Sequence, residues 1–185
     1  MRKTLVLLAC VLALAFSASA QNQINFASLP LVSTPTPMPR GYSSLNWSNI
    51  FYVDPAEWSG AGPGYKLGPM LNQDVAFVGE SGCRLPPGGP CYGSISVNSG
   101  GNGINNPLSF QPVSATVAAG FGPTNVTVMA YNNGNYVGSM FYNVGSQMQT
   151  LNFPSSWGSI TELTFQTAGG EDLVFYDLQL YWVVG

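Results

Sequence analysis

Short apolar runs separated by turn-forming residues dominate this chain after residue 20. Glycine, proline, asparagine, serine and threonine recur between these runs, and the periodicity of an amphipathic helix is nearly absent. Evenly spaced short strands with turn residues between them are typical of an all-β sandwich or barrel. We therefore predict an all-β fold, a single β-sandwich of about nine to ten strands with little or no helix.

The strand pattern is clearest near the middle and at the end of the chain. Residues 125–131 alternate in polarity, and Asn132-Asn133-Gly134-Asn135 then predicts a tight turn into the next strand. Residues 173–183 are apolar on both faces, which predicts a central strand covered on both sides. The predicted strands are 23–27, 45–53, 74–78, 94–97, 113–119, 125–131, 136–144, 149–153, 161–167 and 173–183.

The N-terminus has the pattern of a secretory signal peptide. A charged start, Met1-Arg2-Lys3, precedes an apolar run and a small-residue segment that ends at Ala20. The apolar run is too short to cross ~30 Å of hydrocarbon at ~1.5 Å per residue. We predict cleavage after Ala20 and a single domain over residues 21–185. The protein would be secreted and extracellular, or periplasmic in a bacterium, with no membrane anchor after cleavage.

Charged side chains are scarce beyond residue 20, and histidine is absent from the whole chain. Arg40, Lys66 and Arg84 are the only cations after residue 20, against eight carboxylates. Three cations cannot neutralise a row of phosphates, so we expect no nucleic-acid partner. The commonest general base is also missing, so we assign no catalytic residue and favour a non-enzymatic role.

Two cysteines remain after the predicted cleavage site. Cys83 and Cys91 enclose a loop rich in proline and glycine. In an exported chain, two thiols this close in sequence predict a disulfide bond. Closing so short a loop would stabilise the fold by roughly 2.5 kcal/mol in the chain-entropy model.

Three parts of the chain resemble a loosely defined group of secreted bacterial and fungal proteins. These are residues 41–52 (GYSSLNWSNIFY), residues 64–77 with the ends GY and NQDVAF, and residues 163–178 with the ends LTF and VFYDL. The group is similar to galactose-binding-like β-sandwiches, and some bacterial members carry a C-terminal PEP-type sorting anchor. The resemblance implies a jelly-roll sandwich and an extracellular role.

Carbohydrate-binding jelly rolls of this kind can hold a structural calcium ion between carboxylates of the opening segment and of the last strand. Here residues 24–29 (INFASL) contain no carboxylate, and the last strand offers Asp177. Calcium takes six to eight oxygen ligands, usually from several carboxylates. We therefore predict no cofactor and assign no metal ligands, with calcium as the ion to be tested.

Aromatic residues in predicted loops are the best candidates for ligand contact. Flat aromatic rings beside amide and hydroxyl groups suit neutral sugars, whose C–H faces stack while their hydroxyls form hydrogen bonds. The predicted ligand-binding residues are Trp58, Tyr65, Tyr92 and Trp157. Core packing and loop anchoring are the alternative role for each of these side chains.

Three functions remain compatible with the sequence. The leading hypothesis is a secreted, non-catalytic binding module for a neutral polysaccharide or glycan. A structural or adhesive surface protein with a protein or matrix partner is the second, and it would show a flat apolar patch or an open edge strand. The third is a glycoside hydrolase, which would require two carboxylates facing each other across a groove.

Overall fold

A computed structural model describes residues 21–67, 73–79, 89–97 and 109–183. This part of the chain forms β-strands, loops and three short 3-10 turns, without an α-helix. None of the described segments is a helix long and apolar enough to cross a membrane. The strands are β1 (Gln21–Asn25), β2 (Thr36–Pro37), β3 (Leu45–Ser48), β4 (Phe51–Val53), β5 (Val75–Val78), β6 (Cys91–Val97), β7 (Ser109–Ala119), β8 (Thr124–Asn132), β9 (Asn135–Val144), β10 (Gln149–Asn152), β11 (Glu162–Thr167) and β12 (Leu173–Val183).

The strands form two antiparallel sheets, which confirms the predicted all-β sandwich. The five-stranded sheet has the order β3-β6-β11-β8-β9. The seven-stranded sheet has the order β10-β7-β12-β5-β4-β2, and β1 also pairs with β12. β12 can accept both neighbours on one side because β5 pairs with its first residues and β1 with its later residues.

The main core lies between the two sheets. Alternation places every second side chain of a strand on the inner face. On β8 and β11 these are aliphatic or aromatic residues with an exposed fraction of 1% or less: Val126, Val128, Ala130, Leu163 and Phe165. Each valine, leucine or phenylalanine among them contributes about 1.5–3 kcal/mol of burial free energy when fully enclosed.

The predicted hairpin and the predicted central strand are both confirmed. Asn133 and Gly134 have positive φ values of 48° and 78°, and Asn132 pairs with Asn135 across the turn. β12 lies between β7 on one side and β5 and β1 on the other. A register shift between Phe175 and Asp177 changes which of its side chains face the core.

The prediction of one continuous strand over residues 45–53 is wrong. β3 belongs to the five-stranded sheet and β4 to the seven-stranded sheet. Asn49, between them, adopts a positive φ of 53°, which turns the chain from one sheet to the other. Asparagine tolerates this left-handed conformation better than most residues, so the crossing is accommodated locally.

Part of the outer face of the seven-stranded sheet is covered by the chain itself. Residues 54–67, which we call the covering loop, fold over an apolar cluster on β4, β5, β7 and β12. The cluster contains the fully buried Phe77, Val174 and Tyr176, with Trp58 and Leu67 of the loop packed against it. This part of the seven-stranded sheet is therefore apolar on both faces, whereas toward β1 the outer face carries Gln21, Gln23 and Gln179.

Candidate functional site

The outer face of the five-stranded sheet is open and polar, in contrast to the covered face of the other sheet. Alternation along five strands places mainly hydroxyl, amide and aromatic side chains on this surface. We call it the polar face, and it consists of Asn46, Ser48, Tyr92, Ser94, Ser96, Asn125, Thr127, Met129, Tyr131, Tyr136, Ser139, Phe141, Asn143, Glu162, Thr164 and Gln166.

One cross-strand row of the polar face has an aromatic ring at each end. Tyr92 pairs with Gln166, Gln166 with Thr127, and Thr127 with Phe141. Tyr92 is 41% exposed and Phe141 is 77% exposed. Neighbouring strands lie ~4.8 Å apart, so the two aromatic positions are separated by roughly 14 Å, with an amide and a hydroxyl between them.

A parallel row carries a second aromatic group. Tyr131 and Tyr136 form an edge-to-face pair with ring centroids 5.9 Å apart and an interplanar angle of 68°. The Tyr136 hydroxyl forms a 2.8 Å hydrogen bond with that of Ser139, which fixes the ring orientation on β9. Edge-to-face pairs contribute about 0.5–1.5 kcal/mol beyond area burial. These rings are therefore held in place before any ligand arrives.

A pocket of about 120 Å³ opens at the β3–β6–β11 side of the polar face. Pockets that enclose a whole small ligand usually measure ~300–1,000 Å³. This pocket is therefore suited to one end or one substituent of a larger ligand. It is lined by Ser48, Asn49, Tyr92, Gly93, Ser94, Glu162 and Thr164.

Glu162 is the only ionisable carboxylate on the polar face, and the five strands contain no lysine or arginine. The Thr164 hydroxyl donates a 3.5 Å hydrogen bond to Glu162 Oε1. Anionic ligands such as phosphates therefore find no cation on these strands to pair with. A lone carboxylate also lacks the second acid that glycoside hydrolysis requires.

A carboxylate pair does exist elsewhere, at the end of β4 and β5. Val53 pairs with Val75, so Asp54 and Asp74 follow as the next opposed positions. Asp54 is 4% exposed and Asp74 is 1% exposed. Burial of a carboxylate disfavours its charged form. Enclosed acids do not face a groove, so the geometry expected for a hydrolase is not found at this pair.

The environment of Asp74 changes its protonation. Burial, together with the negative charge of Asp54, raises the pKa of Asp74 to about 6. The backbone amide of Val32 lowers the pKa slightly. Both carboxylate oxygens of Asp74 are buried without a conventional hydrogen bond to the described residues. The neutral, protonated form of Asp74 is therefore more favoured in the folded protein than in the unfolded chain.

Of the four aromatic residues predicted to contact ligand, the structure places Tyr92 on the polar face. Tyr92 lies on β6 rather than in a loop, and its ring borders the pocket. Trp58 and Tyr65 lie in the covering loop, on the opposite side of the sandwich. Trp157 lies in a 3-10 turn, Ser155–Trp157, after β10.

Tyr65 is fully enclosed, which removes its ring from ligand contact. Its hydroxyl donates a 2.5 Å hydrogen bond to Asp172 Oδ2, and its ring lies edge-on to Phe77 at 5.4 Å. Burial and the Asp172 charge raise the pKa of Tyr65 well above its usual range. Trp58 stacks on Phe77 at 5.9 Å and is half-buried. Both rings therefore anchor the covering loop.

Trp157 is also a packing residue. It is 8% exposed and stacks on Phe153, with ring centroids 6.0 Å apart. A Cβ added at Gly138 would lie 2.7 Å from Trp157 Nε1, so the indole rests directly on the β9 backbone. The alternative role of core packing therefore describes Trp157, as it describes Tyr65.

The predicted disulfide lies only partly within the described residues, whereas Asp177, the carboxylate weighed for calcium, is described. Cys91 begins β6 and is buried, whereas Cys83 lies outside the described residues, so their pairing stays a prediction. Asp177 Oδ2 accepts a 3.5 Å hydrogen bond from Gln23 Nε2. The described residues contain no group of three or more metal-ligating side chains. One carboxylate beside an amide does not supply a calcium ligand set.

Aromatic residues in predicted loops do not include Tyr131, Tyr136 and Phe141, because these side chains, like Gln166, lie on strands. The signal that could have identified them is strand alternation. In β11, Glu162, Thr164 and Gln166 alternate with buried residues, and β6 shows the same pattern from Tyr92 onwards. Polar and aromatic residues on alternate positions of adjacent strands form one continuous surface.

A solved structure shares this architecture. The chain is similar to a DUF4465 family protein from Bacteroides caccae ATCC 43185, with a TM-score of 0.52 and 10% sequence identity, over 90% of this chain and 95% of that one. This likeness concerns the fold alone.

Two carbohydrate-binding proteins match at lower TM-scores. A family 11 carbohydrate-binding module of a Clostridium thermocellum cellulase gives a TM-score of 0.44 at 11% identity, over 91% of this chain and 98% of that one. TmCBM61 in complex with beta-1,4-galactotriose gives 0.41 at 12% identity, over 86% and 99%. No family model matches the chain. No curated protein matches it either.

Proposed function

We propose that this protein is a secreted, non-catalytic binding module whose ligand is a neutral polysaccharide or glycan held on the polar face. One observation carries the proposal: a continuous, nearly uncharged surface with exposed aromatic rings on either side of amide and hydroxyl groups. Ligand sites combine apolar or aromatic contact area with a few placed polar groups that fix orientation.

The chemistry of the polar face favours a sugar over other neutral ligands. Tyr92 and Phe141 present ring faces on which the C–H face of a sugar can stack. Gln166 and Thr127, which lie between them in the same row, supply hydrogen-bonding groups for hydroxyls. A purely apolar ligand would leave these polar groups unsatisfied, which costs about 1–3 kcal/mol each.

The shape of the surface favours an extended ligand. The pocket beside Tyr92 is too small to enclose a whole ligand, whereas the row from Tyr92 to Phe141 spans the width of several strands. A chain of sugar rings lying across β6, β11, β8 and β9 would use both aromatic positions at once. Such a ligand would place one substituent in the pocket next to Glu162.

Export is part of the same proposal. Removal of residues 1–20 would release a chain that starts at Gln21, the first residue of β1. An oxidising compartment would also allow the Cys83–Cys91 disulfide to form and persist. Expression of the complete chain in a secreting host, followed by intact-mass analysis of the released protein, tests both steps. Retention of residues 1–20, or two free thiols, would contradict this part.

The binding proposal is tested by replacing the two exposed rings of the long row. We expect Tyr92→Ala and Phe141→Ala each to weaken binding to the recognised polysaccharide about three- to tenfold, because each removes one stacking contact. Affinity gels and calorimetry over a panel of neutral polysaccharides provide the measurement, and the double variant should lose most of the affinity.

The matched control is Phe121→Ala. Phe121 is 49% exposed but packs beside Tyr65 and the covering loop, on the other side of the sandwich. Its removal should leave affinity unchanged. The proposal is wrong if the unaltered protein binds no glycan of the panel, or if Phe121→Ala weakens binding as much as Tyr92→Ala does.

A further inference from the structure

One sheet edge is left open in a fold whose other edges are short. Within the described residues, the five-stranded sheet ends on β3 with four residues and on β9 with ten. The outer strands of the seven-stranded sheet have two to five residues, and β2 ends on Pro37. Short strands and proline are common ways to prevent edge-to-edge association. β9 uses neither of them.

The sequence of β9 also lacks the charges that protect exposed edges. Its ten residues, NYVGSMFYNV, include no lysine, arginine, aspartate or glutamate. Phe141 is 77% exposed, Tyr136 60%, Val137 38% and Met140 36%. A long, uncharged and apolar edge strand presents unpaired backbone groups to any complementary strand. This combination is the strongest signal for association in the described part of the chain.

We propose that β9 pairs with β9 of a second copy of this chain in an antiparallel, two-fold symmetric dimer. Antiparallel pairing across a two-fold axis perpendicular to the sheet extends the sheet and keeps equivalent faces on the same side. The two five-stranded sheets would then form one sheet of ten strands.

Self-pairing suits β9 better than pairing with a partner of another composition. A strand paired with its own copy brings each side chain close to its equivalent near the axis, so any charge would meet a like charge. β9 has none. Directly opposed residues must also point to the same face, so each allowed register is centred on one residue, and Met140 and Phe141 lie near the middle of β9. Both registers place exposed apolar side chains at the axis.

The size of the edge predicts a reversible dimer. Ten residues at ~3.3 Å each give an edge about 33 Å long. A strip of that length and about 10 Å thick has an area of roughly 330 Å², below the ~800 Å² per partner of a standard stable interface. We therefore expect the dimer to dissociate on dilution rather than to behave as an obligate complex.

The dimer would also enlarge the proposed binding surface, a consequence that rests on the proposed function. Phe141 lies on the polar face of β9, so the two copies would bring their Phe141 side chains together at the join. The two polar faces would become one surface twice as wide. A long polysaccharide could then contact both copies, which raises the apparent affinity without new contacts.

Sedimentation velocity over about a hundredfold concentration range, without glycan, tests the interface. We expect a monomer–dimer equilibrium for the unaltered protein.

Met140 pairs with Val128 and so lies on the face opposite to the polar face. Met140→Lys would place like charges across the axis without touching the polar face, and should raise the dimer dissociation constant about tenfold or more.

Phe141→Lys provides a second edge variant that does not depend on core packing, because this side chain is largely exposed. Leu31→Lys is the matched control, since Leu31 is 63% exposed and lies outside both sheets. Only the two edge variants should lose the dimer. Circular dichroism confirms that each variant is folded.

The proposal is overturned if the unaltered protein is monomeric throughout, or if both edge variants dimerise as it does. The same holds if Leu31→Lys removes the dimer equally well. Because these measurements contain no glycan, a dimer that binds no polysaccharide would refute the proposed function and leave the interface intact. A monomer that binds polysaccharide would refute the interface and leave the proposed function intact.

Discussion

The two sheets of this sandwich have the same antiparallel construction but opposite outer faces. The seven-stranded sheet carries Phe77, Val174 and Tyr176 on its outer face, and the covering loop encloses them. The five-stranded sheet carries serine, threonine, asparagine and glutamine there, and no described segment covers it. The sheet whose outer face is open is thus the one with strands, such as β8 and β11, whose inward side chains are buried and whose outward side chains are mainly polar.

This difference shows that the role of an aromatic residue depends on the sheet that it faces. Tyr65 and Tyr92 are the same residue type, and both were candidates for ligand contact. Tyr65 is fully buried with its hydroxyl on Asp172, whereas Tyr92 is 41% exposed beside a pocket. The first ring stabilises the covering loop, and the second is available to a ligand.

The largest expected effect separates the two tyrosines by stability. Tyr65→Ala should lower the free energy of unfolding by about 3–5 kcal/mol, because it leaves a cavity under the covering loop and removes the hydrogen bond to Asp172. Urea denaturation followed by fluorescence measures the change. A loss below about 1 kcal/mol would mean that the covering loop is held by other contacts, and the comparison of the two faces would fail.

An intermediate effect concerns the enclosed acid at the end of the seven-stranded sheet. The pKa of Asp74 is raised from 3.8 to about 6, so between these values the folded state binds more protons than the unfolded state. The contribution of Asp74 to stability is therefore fully present below about pH 4 and is lost as the pH rises through 6.

Replacing this acid by its amide tests the argument. Relative to the unaltered protein, Asp74→Asn should gain on the order of 1–2 kcal/mol between pH 4 and pH 7, a figure already reduced for partial access of water. Denaturation curves at several pH values, recorded for both proteins, give the difference. Parallel pH profiles would show that the Asp74 carboxyl is not enclosed as described.

The smallest expected effect is on the open face. Tyr92→Ala should change the free energy of unfolding by no more than about 0.5 kcal/mol, because an exposed ring contributes little to folding. The same denaturation assay used for Tyr65→Ala makes the measurement directly comparable. A large loss of stability would indicate that Tyr92 is a packing residue, and its proposed role in binding would no longer follow.

Local features of the fold were predictable because they depend on neighbouring residues. The hairpin at Asn133 and Gly134 follows from residues that tolerate positive φ, and the central position of β12 follows from its unbroken apolar sequence. The break at Asn49 was missed, since an asparagine inside an apolar run is equally compatible with a continuous strand.

The candidate site was predictable only in part, for a related reason. Burial of Tyr65 depends on Asp172, which is 107 residues away in sequence, and that of Trp157 on the backbone at Gly138. No local pattern reports such contacts. The row from Tyr92 to Phe141 likewise exists only because β6, β11, β8 and β9 are neighbours in that order.

The order of apolar and turn-forming residues determined that this protein is built from β-strands, and its composition determined that few charges reach the surface, because both depend on individual residues and their near neighbours. The tertiary structure decided which aromatic rings reach solvent and which edge strand stays open. Exposure is a property of the packed chain, since it depends on whether a distant segment covers a given face. In this protein the covering loop buries one face, and the polar face remains open to a ligand.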